Sequence, residues 1–129
     1  MKNKIIFQTF VLFFLVTCTT NNPRKNPQIE TFHFSDDFKV NTADQDTFFI
    51  NIELSLGFEK SNKALSNELR KREPQLRIII NLALASKTKE EASSMKGQLE
   101  LRETIKTSIN SILTNGKISE VYFDELTIN

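Results

Sequence analysis

The chain has 129 residues, 26% of them charged and 39% hydrophobic, with 17 Lys and Arg against 16 Asp and Glu for a net charge of +1. That length and balance describe one globular domain. They exclude a disordered tail, a multi-span membrane protein and a nucleic-acid binder with a dedicated basic face.

Residues 1–17 read as a separate object. Lys2 and Lys4 precede the apolar run IIFQTFVLFFLV, Ile5 to Val16, which is interrupted only by Gln8 and Thr9. As a helix, these twelve residues would reach about 18 Å at ~1.5 Å per residue, against a hydrocarbon core of ~30 Å. That length suits the h-region of an export signal better than a membrane span. Leu15-Val16-Thr17-Cys18 then puts the only cysteine directly after the run, followed by TTNNPRKNPQ, a polar, proline-marked tether. The junction resembles a bacterial lipoprotein signal, with Leu three residues before the Cys and Thr17 where Gly, Ala or Ser is usual. The resemblance implies lipidation of Cys18; an uncleaved anchor and plain secretion are the alternatives. All three place the remainder outside the cytoplasm. The expected organisation is an export signal or membrane anchor over residues 1–17, a tether over 18–28 and a folded domain over 29–129. Without Lys2 and Lys4 the balance is 15 basic against 16 acidic residues, or −1.

Residues 29–41 (IETFHFSDDFKVN) carry apolar positions without long alternation and predict a short edge strand or an extended lead-in. Phe48, Ile50, Ile52, Leu54, Leu56 and Phe58 alternate with Asn51, Glu53, Ser55 and Gly57 in their C-terminal half. This period of two predicts a long strand with one face on a core and the other in solvent. Ser61 or Asn62 can cap a helix through Leu65 and Leu69 to about Arg72, which Pro74 ends. Pro74 then suits the first turn of a second helix, holding Leu76, Ile79, Ile80, Ala83 and Leu84 and expected to be largely buried. Thr88 and Glu91 form a Thr-x-x-Glu capping box for a short helical turn. A longer helix follows from about Lys96 to Leu113, with Leu101, Ile105, Ile109 and Ile112 as its apolar stripe. Asn115-Gly116 is a stop signal. A last strand, KISEVYFDELTIN, breaks its alternation near Asp124, which suggests a bulge or a face switch. Strand, helices, strand predicts an α+β fold of two layers, an antiparallel sheet with helices packed on one face.

Few residues could carry chemistry. His33 is the only histidine and reads as an exposed or partly packed strand residue, since a metal site needs further ligands. Asp36-Asp37 reads as a turn, lacking the spaced oxygens and the Gly of an EF-hand. Glu90-Glu91 and Asp124-Glu125 are neighbours in sequence, which point about 100° apart on a helix and to opposite faces of a strand. Neither pair makes an acid/base couple. Arg70-Lys71-Arg72, flanked by Glu68 and Glu73, reads as a mixed-charge helix end. There is no nucleophile elbow and no reactive cysteine beyond the signal boundary. The expectation is a protein that is no enzyme, with no catalytic, cofactor-binding or metal-binding residues.

From Asn41 to Asn129 the chain resembles the FliL family of flagellar basal-body-associated proteins, through ordered segments rather than one motif. Phe38-x-Val40-Asn41 is similar to the family's entry into its domain, and FFINIELSLGFE to its first long strand. ELRKREPQLRIIINLALASKT is similar to its Arg-x-Pro stretch and following apolar helix. Ser94-Met95-Lys96-Gly97, with Ile109-Asn110 near the helix end, matches its long helix. The closing VYFDELTIN is similar to its last strand. Ile78 departs from the family's usual Asp after Arg77, Leu126 from an aromatic and Asn129 from a terminal Gln. The start also departs, since the family usually has a true transmembrane helix. The resemblance implies a periplasmic domain similar to stomatin-type ring-forming domains. It would associate with the flagellar stator, the basal body and its own copies, and support motility without catalysis. The alternative is a free periplasmic or surface lipoprotein that binds an apolar ligand or another envelope protein.

Overall fold

The computed structural model describes residues 27–129, so Cys18 and the N-terminal apolar run lie outside the described residues. In chain order the elements are β1 (Ile29–His33), β2 (Phe38–Asn41), β3 (Phe49–Glu59), α1 (Lys63–Lys71), α2 (Glu73–Ala85), α3 (Lys89–Ser93), α4 (Met95–Ile112) and β4 (Glu120–Ile128).

β3 is the centre of an antiparallel sheet. β1 pairs with its C-terminal half (Ile29↔Glu59 to His33↔Ser55) and β2 with its N-terminal half (Phe38↔Ile52 to Asn41↔Phe49). β4 occupies the other edge, from Gly57↔Glu120 to Ile50↔Ile128. β1 and β2 therefore lie end to end on one edge. The single short strand expected over 29–41 is two strands, interrupted at the bend Ser35–Asp36.

The alternation of β3 translates into burial. Ile50, Ile52, Leu54, Leu56 and Phe58 are all at most 2% exposed and meet the helices. Phe48 precedes the strand and is half-buried, with Lys89 Nζ 4.1 Å from its ring centre. The other face is not uniformly solvated as expected, because Ser55 and Gly57 are buried. A Cβ on Gly57 would come within 2.9 Å of the Tyr122 ring, so that ring lies across the glycine. The irregularity expected near Asp124 is a bulge: Glu53 pairs with Glu125 and Leu54 with Phe123, leaving Asp124 as the extra residue. The insertion resets the phase of β4, so Leu126 and Ile128 return to the core side.

The helices form the second layer. Asn62 caps α1 by accepting from the Leu65 amide at 3.0 Å, and Pro74 sits in the first turn of α2. Both halves of the Thr88–Glu91 capping box are formed. Asp44 accepts from the Lys89 amide at 2.7 Å, at the start of the same short helix. α4 starts at Met95 with Ser94 as its cap, and the neighbouring Gly97 is sterically required: a Cβ there would overlap the Glu91 carbonyl. Leu101, Ile105 and Ile109 are buried and Ile112 half-buried. α4 ends at Ile112, before the Asn115-Gly116 signal, and Gly116 turns the chain at φ +140°. α2 differs from expectation. Leu76, Ile80 and Leu84 are buried, but Ile78 is 61% and Leu82 68% exposed.

The segment between α4 and β4 is held by polar side chains, Glu68 and Asn110 foremost, with Asn62 Nδ2 donating to the Asn115 carbonyl at 2.9 Å. Glu68 on α1, only 6% exposed, accepts from the amides of Thr114 (3.0 Å) and Asn115 (2.8 Å), from the Thr114 hydroxyl and from Arg72 Nε at 2.8 Å. Asn110 on α4 pairs both ways with the Ile118 main chain, donating at 3.1 Å and accepting at 2.8 Å. Burial by itself would raise the Glu68 carboxyl. The Thr114 and Asn115 amides, Arg72 and the Thr114 hydroxyl outweigh it and bring the pKa from 4.5 down to about 2.

Ile52→Asp puts an unpaired charge into the core and should remove several kcal/mol from a total of about 5–15, unfolding the domain. Glu53→Ala, one residue along on the other face, should move stability by no more than ~0.5 kcal/mol. Chemical unfolding followed by far-UV circular dichroism separates the two; equal effects would mean a different register. Glu68 makes a second prediction. Its folded pKa lies below the unfolded one, so its contribution is full above 4.5 and is lost as pH falls from there through about 2. Glu68→Gln should cost about 2–3 kcal/mol at neutral pH and flatten the acid limb of the stability curve in that window.

Candidate functional site

The residues flagged in sequence have structural duties or lie on surfaces. Asp36-Asp37 lies at a bend between β1 and β2, which continue in one direction, and not at the expected turn. Its two carbonyls accept from Arg77, at 2.8 Å from Nη1 and 3.1 Å from Nη2. Glu91 closes the capping box, and Glu90 is exposed. Arg72 is tied to Glu68, while Arg70 and Lys71 face solvent.

The N-terminal half of α2 clamps the bend between β1 and β2. Glu73 Oε1 accepts from the Ser35 amide at 3.0 Å and its hydroxyl at 2.9 Å. The Arg77 guanidinium lies 4.4 Å from the Phe38 ring centre, a cation–π contact added to its two carbonyl bonds. Phe34 stands edge-on to Phe32 and to Phe38, with centroids 5.2 Å and 5.0 Å away. This anchored end presents Ile78 outward, and Leu82 follows one turn later, so α2 carries an exposed apolar pair on a firmly held helix. Met95 and Leu99 give α4 a second such pair, 80% and 50% exposed. A cleft of about 370 Å³ beside β1 has Glu30, His33, Arg70 and Glu73 in its lining together with the aromatic rings of Phe32 and Phe58.

The face of the sheet away from the helices exposes Thr31, His33, Lys39, Glu53, Asp124, Glu125 and Thr127. His33 is an exposed strand residue, as expected, with Nε2 3.1 Å from Thr31 Oγ1. The bulge changes the reading of Asp124-Glu125. Both lie beside Glu53 rather than on opposite faces, and donor atoms of His33, Glu53 and Asp124 come within 4.8 Å of one another. Sequence reasoning missed this juxtaposition, because only the sheet register brings those residues together. It also missed Glu68, although its place three residues after Leu65, on the buried stripe of α1, was a signal.

Comparison with known proteins identifies the frame in which these surfaces act. The family model described as "Flagellar basal body-associated protein FliL" matches residues 31–128. "Flagellar protein FliL" of Borreliella burgdorferi is 30% identical over 104 residues, covering 81% of this chain and 57% of that protein. "Flagellar protein FliL" of Aquifex aeolicus is 35% identical over 92 residues, covering 70% and 56%. The chain thus spans a little over half the length of these curated relatives. The match takes in every described element from β2 to β4 and the last three residues of β1. The chain belongs to the FliL family of flagellar basal body-associated proteins, a family of flagellar accessory components and not of enzymes.

Proposed function

We propose that this protein is a non-catalytic scaffold on the periplasmic side of the flagellar basal body, associating with the stator and with its own copies to support motility. The observation that carries the reading is the family match over residues 31–128, which covers all of the folded unit but the first two residues of β1. The exposed pair Ile78 and Leu82 supports it. Apolar side chains 61% and 68% exposed on a clamped helix are what a protein-contact surface needs, and they perform no task in the fold. Ile78 is also the position that departs from the family's usual Asp, so the contact it makes is adapted to an apolar neighbour.

Membrane attachment belongs, in this proposal, to the N-terminal residues. Among the described residues no helix is long and apolar enough to cross a membrane. Acylation of Cys18 would hold the domain stably, since two or more acyl chains anchor where one is marginal. Confinement to a membrane raises the effective concentration of weakly binding copies and aligns them.

A fluorescently tagged chain should form foci at flagellar bases that vanish when the basal body is absent, and its deletion should weaken swimming. Uniform envelope fluorescence with normal swimming would favour a free lipoprotein instead. Leu82→Asp should leave stability within ~0.5 kcal/mol of the parent, because the site is exposed, yet disperse the foci. Mass spectrometry of the membrane-bound protein should find a lipid-modified Cys18 at the N-terminus. An intact Met1 on that protein would exclude lipid anchoring and leave the uncleaved helix.

A further inference from the structure

We propose that His33, Glu53 and Asp124 form a surface site for a divalent transition ion of the zinc type. The three stand on β1, β3 and β4, three adjacent lanes of the sheet, and all are exposed on the face away from the helices. Their donor atoms, one imidazole nitrogen and two carboxylate oxygens, already lie within 4.8 Å of one another. Donors around tetrahedral zinc sit about 3.4 Å apart at bond lengths of ~2.0–2.1 Å. The remaining contraction is within reach of exposed side-chain torsions and asks nothing of the strands.

Two features of the sheet favour a cation here. The bulge sets both Asp124 and Glu125 beside Glu53, and Glu53 pairs directly with Glu125 across the ladder. Like charges opposed in this way destabilise a sheet. Among the described residues the ion pairs are Lys63–Glu30, Arg72–Glu68 and Lys96–Glu100, so no Lys or Arg forms an ion pair with this cluster. A bound dication relieves that repulsion. The second feature is His33 itself. Carboxylates alone would suit calcium or magnesium, whereas an imidazole donor selects zinc and its first-row neighbours. Thr31 Oγ1, 3.1 Å from His33 Nε2, is placed to steady the ring as an outer partner. Three protein donors leave a coordination position for water or for a donor from a neighbouring protein.

The test uses the full-length chain in detergent with Cys18→Ser as the parent, because a free thiolate is itself a zinc ligand. Equilibrium dialysis against ZnCl₂ with metal analysis should find one saturable zinc per chain, and zinc should raise the thermal midpoint. His33→Ala, Glu53→Gln and Asp124→Asn should each weaken binding by about tenfold or more, while circular dichroism melts of the metal-free proteins stay close to the parent. Lys39→Ala, on the same face, should bind zinc as the parent does. No saturable binding, binding that survives His33→Ala, or calcium binding as tightly as zinc would each overturn the proposal. The result does not depend on the motor role, since dialysis reads metal occupancy and not localisation.

Discussion

Every strand of the described domain hydrogen-bonds to β3 and to no other partner in the sheet. The structure therefore depends on one eleven-residue segment keeping its register. Its even-numbered side chains supply one wall of the core, and its two edges hold the start and the finish of the domain together. Local helix propensity contributes comparatively little, because the helices bury their stripes only against that wall. A slip of one residue in β3 would turn Ile50, Ile52, Leu54, Leu56 and Phe58 to solvent together, so register and core are one constraint.

The return of the chain to β3 is the step of longest range, and it is secured by polar groups. α4 stops at Ile112, so the amides of the residues that follow are outside the helical ladder and need other partners. Glu68 takes those of Thr114 and Asn115, and Asn110 takes that of Ile118. A carboxylate accepting several donors at once is costly to bury and strongly favourable once satisfied. It fixes the loop in one arrangement, so that β4 enters the sheet opposite Gly57.

What could be read from the sequence follows from which forces are local. The alternation of β3, the Thr88–Glu91 box and the break at Asp124 are local patterns, and each appears in the structure. Gly97 was visible only as a helix-start feature; its steric reason, the Glu91 carbonyl, needed the packing of α3 on α4. The expectation of a largely buried α2 does not anticipate the exposure of Ile78 and Leu82, because apolar identity does not say which flank a neighbour covers. Burial of Ser55 was equally hidden, since it arises from the residues flanking it on the adjoining strands. The cluster of His33, Glu53 and Asp124 could not be found at all from spacing. Its members are far apart in the chain and meet only through the pairing of β1 and β4 with β3.

The start of β1 has a mechanical meaning. Gln28 accepts from the Lys60 amide at 2.8 Å, and β1 then runs antiparallel to β3 for five residue pairs, Ile29↔Glu59 to His33↔Ser55. The chain thus enters at the Glu59 end of the sheet, whereas Asn129 exchanges hydrogen bonds with Phe49 at the opposite end. A load applied at Gln28 along the strand axis would act on those pairs in shear, all at once, rather than peeling them open singly. Pulled from that end, the domain would resist with all five pairs of β1 together.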